Sequence, residues 1–169
     1  IQIVDPTTSE KKQEYIDLFV ELRKHKGMTP EKAKDILTDP VFFGNIMIKD
    51  GDADGLVSGA IHSTAATLRP ALQIIKTAPG TKLVSGFFVM VVPDCEYGAD
   101  GVFIFADSGL NENPDPDQLS EIAYSSAASF ESLTGEEAKI AMLCYSTKGS
   151  AKSELVEKMV EATRLTHQK

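Results

Sequence analysis

From Ser9 to His25 the apolar positions Tyr15, Leu18, Phe19 and Leu22 fall three and four residues apart, which predicts an amphipathic helix. Gly27 ends it. Thr29-Pro30-Glu31 places a capping hydroxyl before a proline suited to the first helical position, so a second helix starts there. Pro40 opens a third, through Val41, Phe43 and Ile48. Two short apolar stretches, 1–4 and 54–58, read as strands, and a helix follows over 65–77. Ala78-Pro79-Gly80 then punctuates the chain and predicts a domain boundary, giving parts 1–79 and 80–169. Beyond it, KLVSGFFVMVV (82–92) and GVFIFAD (101–107) are strongly apolar strands joined by PDCEYGAD and read together as an antiparallel hairpin. A helix over 118–133, a strand over 139–143 and a last helix from about Ser150 complete the order, with Leu155, Val156, Met159 and Val160 pointing inward. Strands alternating with helices predict a layered α/β/α fold with largely parallel sheets, forming parts of two domains. The long apolar strands predict that 80–169 is the more stable part.

The composition is that of a globular chain. Of 169 residues, 42% are hydrophobic and 25% charged, and no apolar run reaches membrane-spanning length. No stretch reads as a signal peptide. Cys95 and Cys144 lie far apart without metal or redox spacing, and read as buried free thiols in a cytoplasmic protein. The net charge of −8 argues against a nucleic-acid partner, which calls for a broad basic surface. Small phosphorylated ligands remain open, because the local field matters more than the net charge. Basic residues do gather locally, at Arg23-Lys24-His25-Lys26, at Arg69, and at Lys148 and Lys152. The bare apolar strand at Ile1 and the helix ending at Lys169 suggest a piece of a longer protein.

DGDADG at 50–55 fits the start of a calcium loop, but the twelfth position, where the pattern needs a bidentate glutamate, is Ile61. The acidic residues read instead as a turn into strand 54–58. Two junctions hold more chemistry. In the first, strand 54–58 leads through GAIHST into a helix; in the second, strand 139–143 leads through CYSTKGS into another. Ligands of open α/β sheets gather beyond the carboxyl ends of strands, and a helix N-terminus offers unpaired N–H groups and a partial positive charge. Gly59 and Gly149 admit close approach of an anion. Ser63, Thr64, Ser146, Thr147 and Ser150 add hydroxyls, and Arg69 and Lys148 add charge. Each hydroxyl has a plainer use as a helix cap. His62, beside the first junction, could do acid–base work or simply be packed; His25 and His167 read as surface residues.

Taken together, ELRKHKG (21–27), ADGLVSGAIHSTAATLRPALQIIKTAPG (53–80), VPDCEYGADG (92–101), FADSG (105–109) and MLCYSTKGSAKS (142–153) strongly resemble the phosphate acetyltransferase, or phosphotransacetylase, family. The resemblance runs over the whole chain. Phosphate butyryltransferases share looser versions of the same blocks, as does the phosphotransacetylase-like domain of some malic enzymes. A non-catalytic module of this fold that binds CoA or an anion is the competing class.

The resemblance implies a two-domain architecture like that of isocitrate and isopropylmalate dehydrogenases, with the active site in a cleft between α/β domains. It implies a homodimer with CoA, acetyl phosphate and inorganic phosphate as substrates, no permanently bound cofactor and no metal in the chemistry. By the same resemblance Arg23 and Arg69 bind CoA or the phosphate end of the substrate, Ser63 and Thr64 lie beside acetyl phosphate, and the STKGS loop, 146–150, faces the same cleft. The family's N-D-L-S-R-G block, with the presumed catalytic aspartate shortly after it, has no counterpart here. The implied base therefore lies outside these residues, which are expected to be inactive alone.

Physically, the implied step is acyl transfer. A thiol of pKa near 8.5 is mostly protonated at neutral pH, so a base or a positive field assists it. A planar guanidinium such as that of Arg69 can pair two phosphate oxygens at once. Acidic neighbours on both sides of Cys95 would raise a thiol pKa, which favours direct transfer in a ternary complex over an acetyl-cysteine route.

Overall fold

The computed structural model describes residues 1–169 as two compact units, Ile1–Thr77 and Ala78–Lys169. The first unit is helical. Helix α1 (Lys12–Arg23) passes into a short 3₁₀ turn (Lys24–Lys26) and stops at Gly27, whose φ of 74° is the left-handed geometry that glycine adopts without steric cost. Helix α2 (Pro30–Ile36) is capped by the Thr29 hydroxyl, and α3 (Pro40–Asp50) by the Asp39 carboxylate, each with proline in the first turn. Helix α4 (Thr64–Ile74) closes the unit. Helix α1 packs against α2, α3 and α4 through a core of Tyr15, Ile16, Phe19, Ala33, Leu37, Phe43, Ile46 and Ile74. Tyr15 and Phe43 meet edge to face with ring centroids 5.1 Å apart, a favoured aromatic geometry.

The second unit contains a hairpin and two helices. Strands β1 (Phe87–Val91) and β2 (Val102–Ala106) pair antiparallel from Phe87 opposite Ala106 to Val91 opposite Val102. Gly101 stands in the turn with φ 85°, where a Cβ would come within 2.1 Å of the Val92 carbonyl oxygen. Helix α5 (Pro116–Thr134) starts with a reciprocal capping box between Asp115 and Gln118, and α6 (Glu154–Thr166) is capped by Ser153. The buried residues of the two helices are mostly small, Ser120, Ala123, Val156 and Ala162 with Ile122, which lets α5 and α6 pack closely; α5 also lies on β2.

Several sequence expectations are corrected. The chain is a mixed helix–strand fold whose sheet is the β1–β2 hairpin. The strands expected at 1–4, 54–58 and 139–143, and the parallel pairing they implied, do not form. Those stretches have no neighbouring backbone to take their N–H and C=O groups, and Ile1, Ile3, Val57, Ile140 and Leu143 stand exposed. The strand expected over 82–92 narrows to β1. Helix α6 starts at Glu154 rather than near Ser150, and Leu155 and Val160 point outward, 59% and 65% exposed, while Val156 and Ala162 face α5. Neither thiol is buried: Cys144 is exposed and Cys95 half-exposed. The continuous core of large side chains lies in the first unit, not the second, because β1 has little packed on it.

Candidate functional site

The first unit brings Gly59, His62, Ser63, Thr64 and Arg69 onto one loop–helix junction. Gly59, at φ 136°, turns the chain so that its carbonyl accepts the His62 amide. Ser63 is the N-cap of α4, its Oγ accepting the Ala66 amide at 3.2 Å while its carbonyl accepts the Thr67 hydroxyl at 3.1 Å. The plainer reading of Ser63 as a cap is therefore met. It still leaves the hydroxyl proton of Ser63 free to donate outward, since a cap uses only the oxygen's acceptor capacity. The amides of Thr64 and Ala65 lie at the helix end, where no intrahelical carbonyl reaches them.

Burial of Pro70 and Ile74, four residues apart, fixes which face of α4 meets the core. That orientation puts Arg69 on the exposed side, one turn after Ala65. Helical side chains tilt toward the N-terminus, so the arginine leans back toward the open end of its own helix. His62 is half-buried.

The electrostatics of this helix end set it apart. Helix α1 carries Glu14 in its first turn, α2 carries Glu31, α5 carries Asp117 after the Asp115 cap, and α6 carries Glu154 and Glu157. Helix α3 is capped by a carboxylate, Asp39. Helix α4 alone combines an uncharged cap with a first turn free of acid. Its partial positive charge is left without an internal counter-charge.

Arg23 lies apart from this junction, at the end of α1. It is half-buried, with its Nε enclosed and without a hydrogen-bond partner. The neighbouring Lys24 pairs with Glu21 at 2.6 Å.

The 146–150 loop of the second unit is tied largely to itself. Ser150 Oγ accepts the Thr147 amide at 3.0 Å and lies 3.2 Å from Ser146 Oγ, which accepts the Ala151 amide at 3.1 Å. The Ser150 amide closes the turn onto the Thr147 carbonyl at 2.8 Å. Lys148 and Gly149 both have positive φ, and the exposed Lys148 side chain points from the crest of the turn. The expected helix N-terminus beneath this loop is not there. Helix α6 begins later, and its first turn bears two glutamates that already answer its dipole. A shallow groove between 113–116 and α6 is lined by Asp115, Glu154, Glu157 and Glu161 with Lys158, a surface unsuited to anions.

Sequence spacing gave no sign of one cluster. Asp50 and Asp52, which opened the calcium-like motif, face Lys11, whose Nζ is 3.4 Å from Asp50 and 2.6 Å from Asp52. The Tyr15 hydroxyl donates to Asp52 as well. The carboxylate of Asp52 is held below the usual range, first by the Lys11 hydrogen bond and then by Tyr15. Burial foremost, with the Asp52 charge, pushes Tyr15 up to about 12.

Fold and junction together define a mixed helix–strand protein in which one helix N-terminus has neither a carboxylate cap nor an acidic first turn and an exposed arginine lies one turn on. Comparison then places it: the family described as phosphate acetyl/butaryl transferase matches residues 1–169, and the chain belongs to that family. It is 60% identical over 169 residues to the phosphate acetyltransferase of Acetivibrio thermocellus, covering all of this chain and 51% of that protein. It is 53% identical over 165 residues to the phosphate acetyltransferase of Clostridium acetobutylicum, covering 98% of this chain and 50% of the other. The EutD phosphotransacetylase structure from Staphylococcus aureus superposes with a TM-score of 0.84 at 47% identity, over 99% of this chain and 48% of that one. The chain thus spans about half the length of the curated relatives it matches.

Proposed function

We propose that these residues form half of a phosphate acetyltransferase, which moves an acetyl group reversibly between CoA and inorganic phosphate. The observation that carries the reading is the N-terminus of α4, the one α-helix with neither a carboxylate cap nor an acidic first turn, with Arg69 exposed one turn on. Such an end suits a phosphate or acyl phosphate. The names of the relatives supply the acetyl group and CoA.

In the proposed reaction the CoA sulfur attacks the carbonyl carbon of acetyl phosphate. The new C–S bond forms as the bond between the carbonyl carbon and the bridging oxygen breaks, that oxygen leaving with the phosphorus, and the thiol proton ends on the departing phosphate. The Ser63 and Thr64 hydroxyls, the open amides of α4 and the forked Arg69 guanidinium meet the oxygens on which charge grows; one such fixed donor contributes roughly 3 kcal/mol. By the family resemblance Arg23 serves CoA or the phosphate end of the substrate; in the second unit Ser146, Thr147, Gly149 and Ser150 shape the substrate-binding loop that presents Lys148. His62 and Gly59 shape the approach to α4.

The remaining assignments rest on the family resemblance: a cytoplasmic homodimer without a resident cofactor, its two parts, 1–79 and 80–169, belonging to two layered α/β domains with largely parallel sheets of the isocitrate dehydrogenase kind. No helix is long and apolar enough to cross a membrane.

Titrating the chain with inorganic phosphate while following amide NMR shifts tests the reading. The largest shifts are expected at Thr64, Ala65 and Ala66. Shifts centred on another element, or none at millimolar phosphate, would overturn the assignment of this junction.

A further inference from the structure

Gly44 lies inside α3, and in a helix interior glycine is less favourable than every residue but proline. A neighbour accounts for its presence. A Cβ at position 44 would come within 2.8 Å of Leu56 Cδ1 and 3.6 Å of Leu56 Cδ2, and the third nearest atom, at 3.7 Å, is Leu56 Cγ. Carbon atoms settle about 3.5–4.0 Å apart, so a larger residue at 44 displaces the leucine. Leu56 belongs to the connection 51–63 that links α3 to α4 and carries Gly59, His62 and Ser63. Asp52 ties the start of that connection to Lys11 and Tyr15. Further on, Val57 and Ile61 are almost wholly exposed, whereas Leu56 is 40% exposed. The one backbone hydrogen bond between Asp52 and Ser63 runs from the His62 amide to the Gly59 carbonyl, inside the connection itself. Leu56 is thus the large apolar side chain that seats the connection on the helices.

We propose that the contact of Leu56 with Gly44 positions the phosphate site. It fixes where the chain enters the Gly59–Ser63 turn, and so how that turn meets the open end of α4. Leu56 and Gly44 are positioning residues that act through the backbone of 59–64, because donors held in place are effective only where the anion sits. This role rests on the phosphate reading of the α4 N-terminus. Helix propensity alone predicts the opposite sign, since alanine at 44 would strengthen α3.

The test follows amide NMR of the 169-residue chain with inorganic phosphate as the probe. Gly44→Ala should weaken phosphate binding at Thr64, Ala65 and Ala66 at least tenfold. It should also speed amide exchange at His62 and Ala66, measured without phosphate, at least tenfold, while exchange at Tyr15 and Phe19 matches the parent chain. Adding Leu56→Val to Gly44→Ala shortens the neighbour by about what the alanine adds, so both readouts should return to within about twofold of the parent. A role of residue 44 in α3 alone would not be rescued from position 56. Leu56→Ala removes the contact without a clash and should loosen the same amides, which decides the matter if Gly44→Ala fails to fold. Phosphate shifts in the parent that Gly44→Ala and Leu56→Ala leave unchanged, or a loss that Leu56→Val does not repair, would overturn this role alone. A parent chain without phosphate shifts at 64–66 would overturn the site reading itself, and exchange at His62 and Ala66 would still decide whether the contact places the connection.

Discussion

The Tyr15 hydroxyl donates a hydrogen bond to the Asp52 carboxylate and so ties the first turn of α1 to the turn that follows α3. Lys11 reaches the same carboxylate from one turn earlier. Two acidic residues that open a calcium-like motif are thus tied to the start of α1.

This cluster gives stability two pH limits. Asp52 is held below its ordinary value, so the folded state binds its proton less readily than the unfolded chain does. Its contribution is present above the unfolded value near 3.9 and is lost as pH falls through the lower folded value. Tyr15 is raised to about 12, so its contribution is complete below about pH 10 and fades as pH climbs toward the folded value. Tyr15→Phe should flatten the alkaline limb and lower the melting temperature by roughly 2–4 °C, the effect of losing one hydrogen bond worth about 1 kcal/mol in a chain of this size. Urea midpoints measured from pH 3 to 11 check both limbs; an unchanged alkaline limb in the variant would remove Tyr15 from the account.

Ser63→Asp separates capping from ligand binding. Aspartate caps at least as well as serine, so thermal stability should stay within about 0.5 kcal/mol of the parent. The added carboxylate occupies the one acid-free helix end, so phosphate binding should fall at least tenfold. Ser63→Ala should behave oppositely, losing about 1 kcal/mol of stability. Calorimetric phosphate titration beside thermal melts distinguishes the two, and parallel losses in Ser63→Asp would contradict the assignment.

Arg69→Ala, introduced into the complete enzyme, should lower turnover by about two decades, corresponding to roughly 3 kcal/mol. Arg69→Lys should recover only part of it, because an ammonium keeps the charge without the two-pronged fork. An acetyl phosphate/CoA assay reads this directly; near-parental turnover by the alanine variant would exclude Arg69 from the site.

Gly101→Ala should loosen the hairpin. The added Cβ meets the Val92 carbonyl oxygen at 2.1 Å and sits on a backbone with φ 85°, so the turn must shift. Amide exchange at Val92, which donates to the Gly101 carbonyl at 2.8 Å, should accelerate by at least tenfold. Unchanged exchange there would show that the turn absorbs a side chain freely.

Cys144 should react with a soluble thiol reagent under native conditions, and faster than Cys95, because it is exposed and Cys95 only half so. The direct transfer proposed above needs no protein thiol, so Cys95→Ala and Cys144→Ala should each leave turnover of the full-length protein largely intact. Acetyl label trapped on either sulfur would overturn the direct route.

Local chemistry was legible in the sequence wherever it depends on neighbours in the chain. The cap-and-proline start at Thr29, the proline start at Pro40, the glycine stop at 27, the hairpin of 82–92 with 101–107 and the Ser63 cap follow from hydrogen bonds and backbone angles within a few residues. So did the set of residues at the first junction, since His62 to Arg69 lie within about two helical turns. Strands are different, because a strand exists only when another backbone takes its N–H and C=O groups. The stretches 54–58 and 139–143 have strand composition and no such partner, so they form no strand and lie exposed. Tertiary structure alone decided that Asp52 faces Lys11 and Tyr15, that α6 turns Leu155 outward, and that a buried Pro70 turns Arg69 toward solvent.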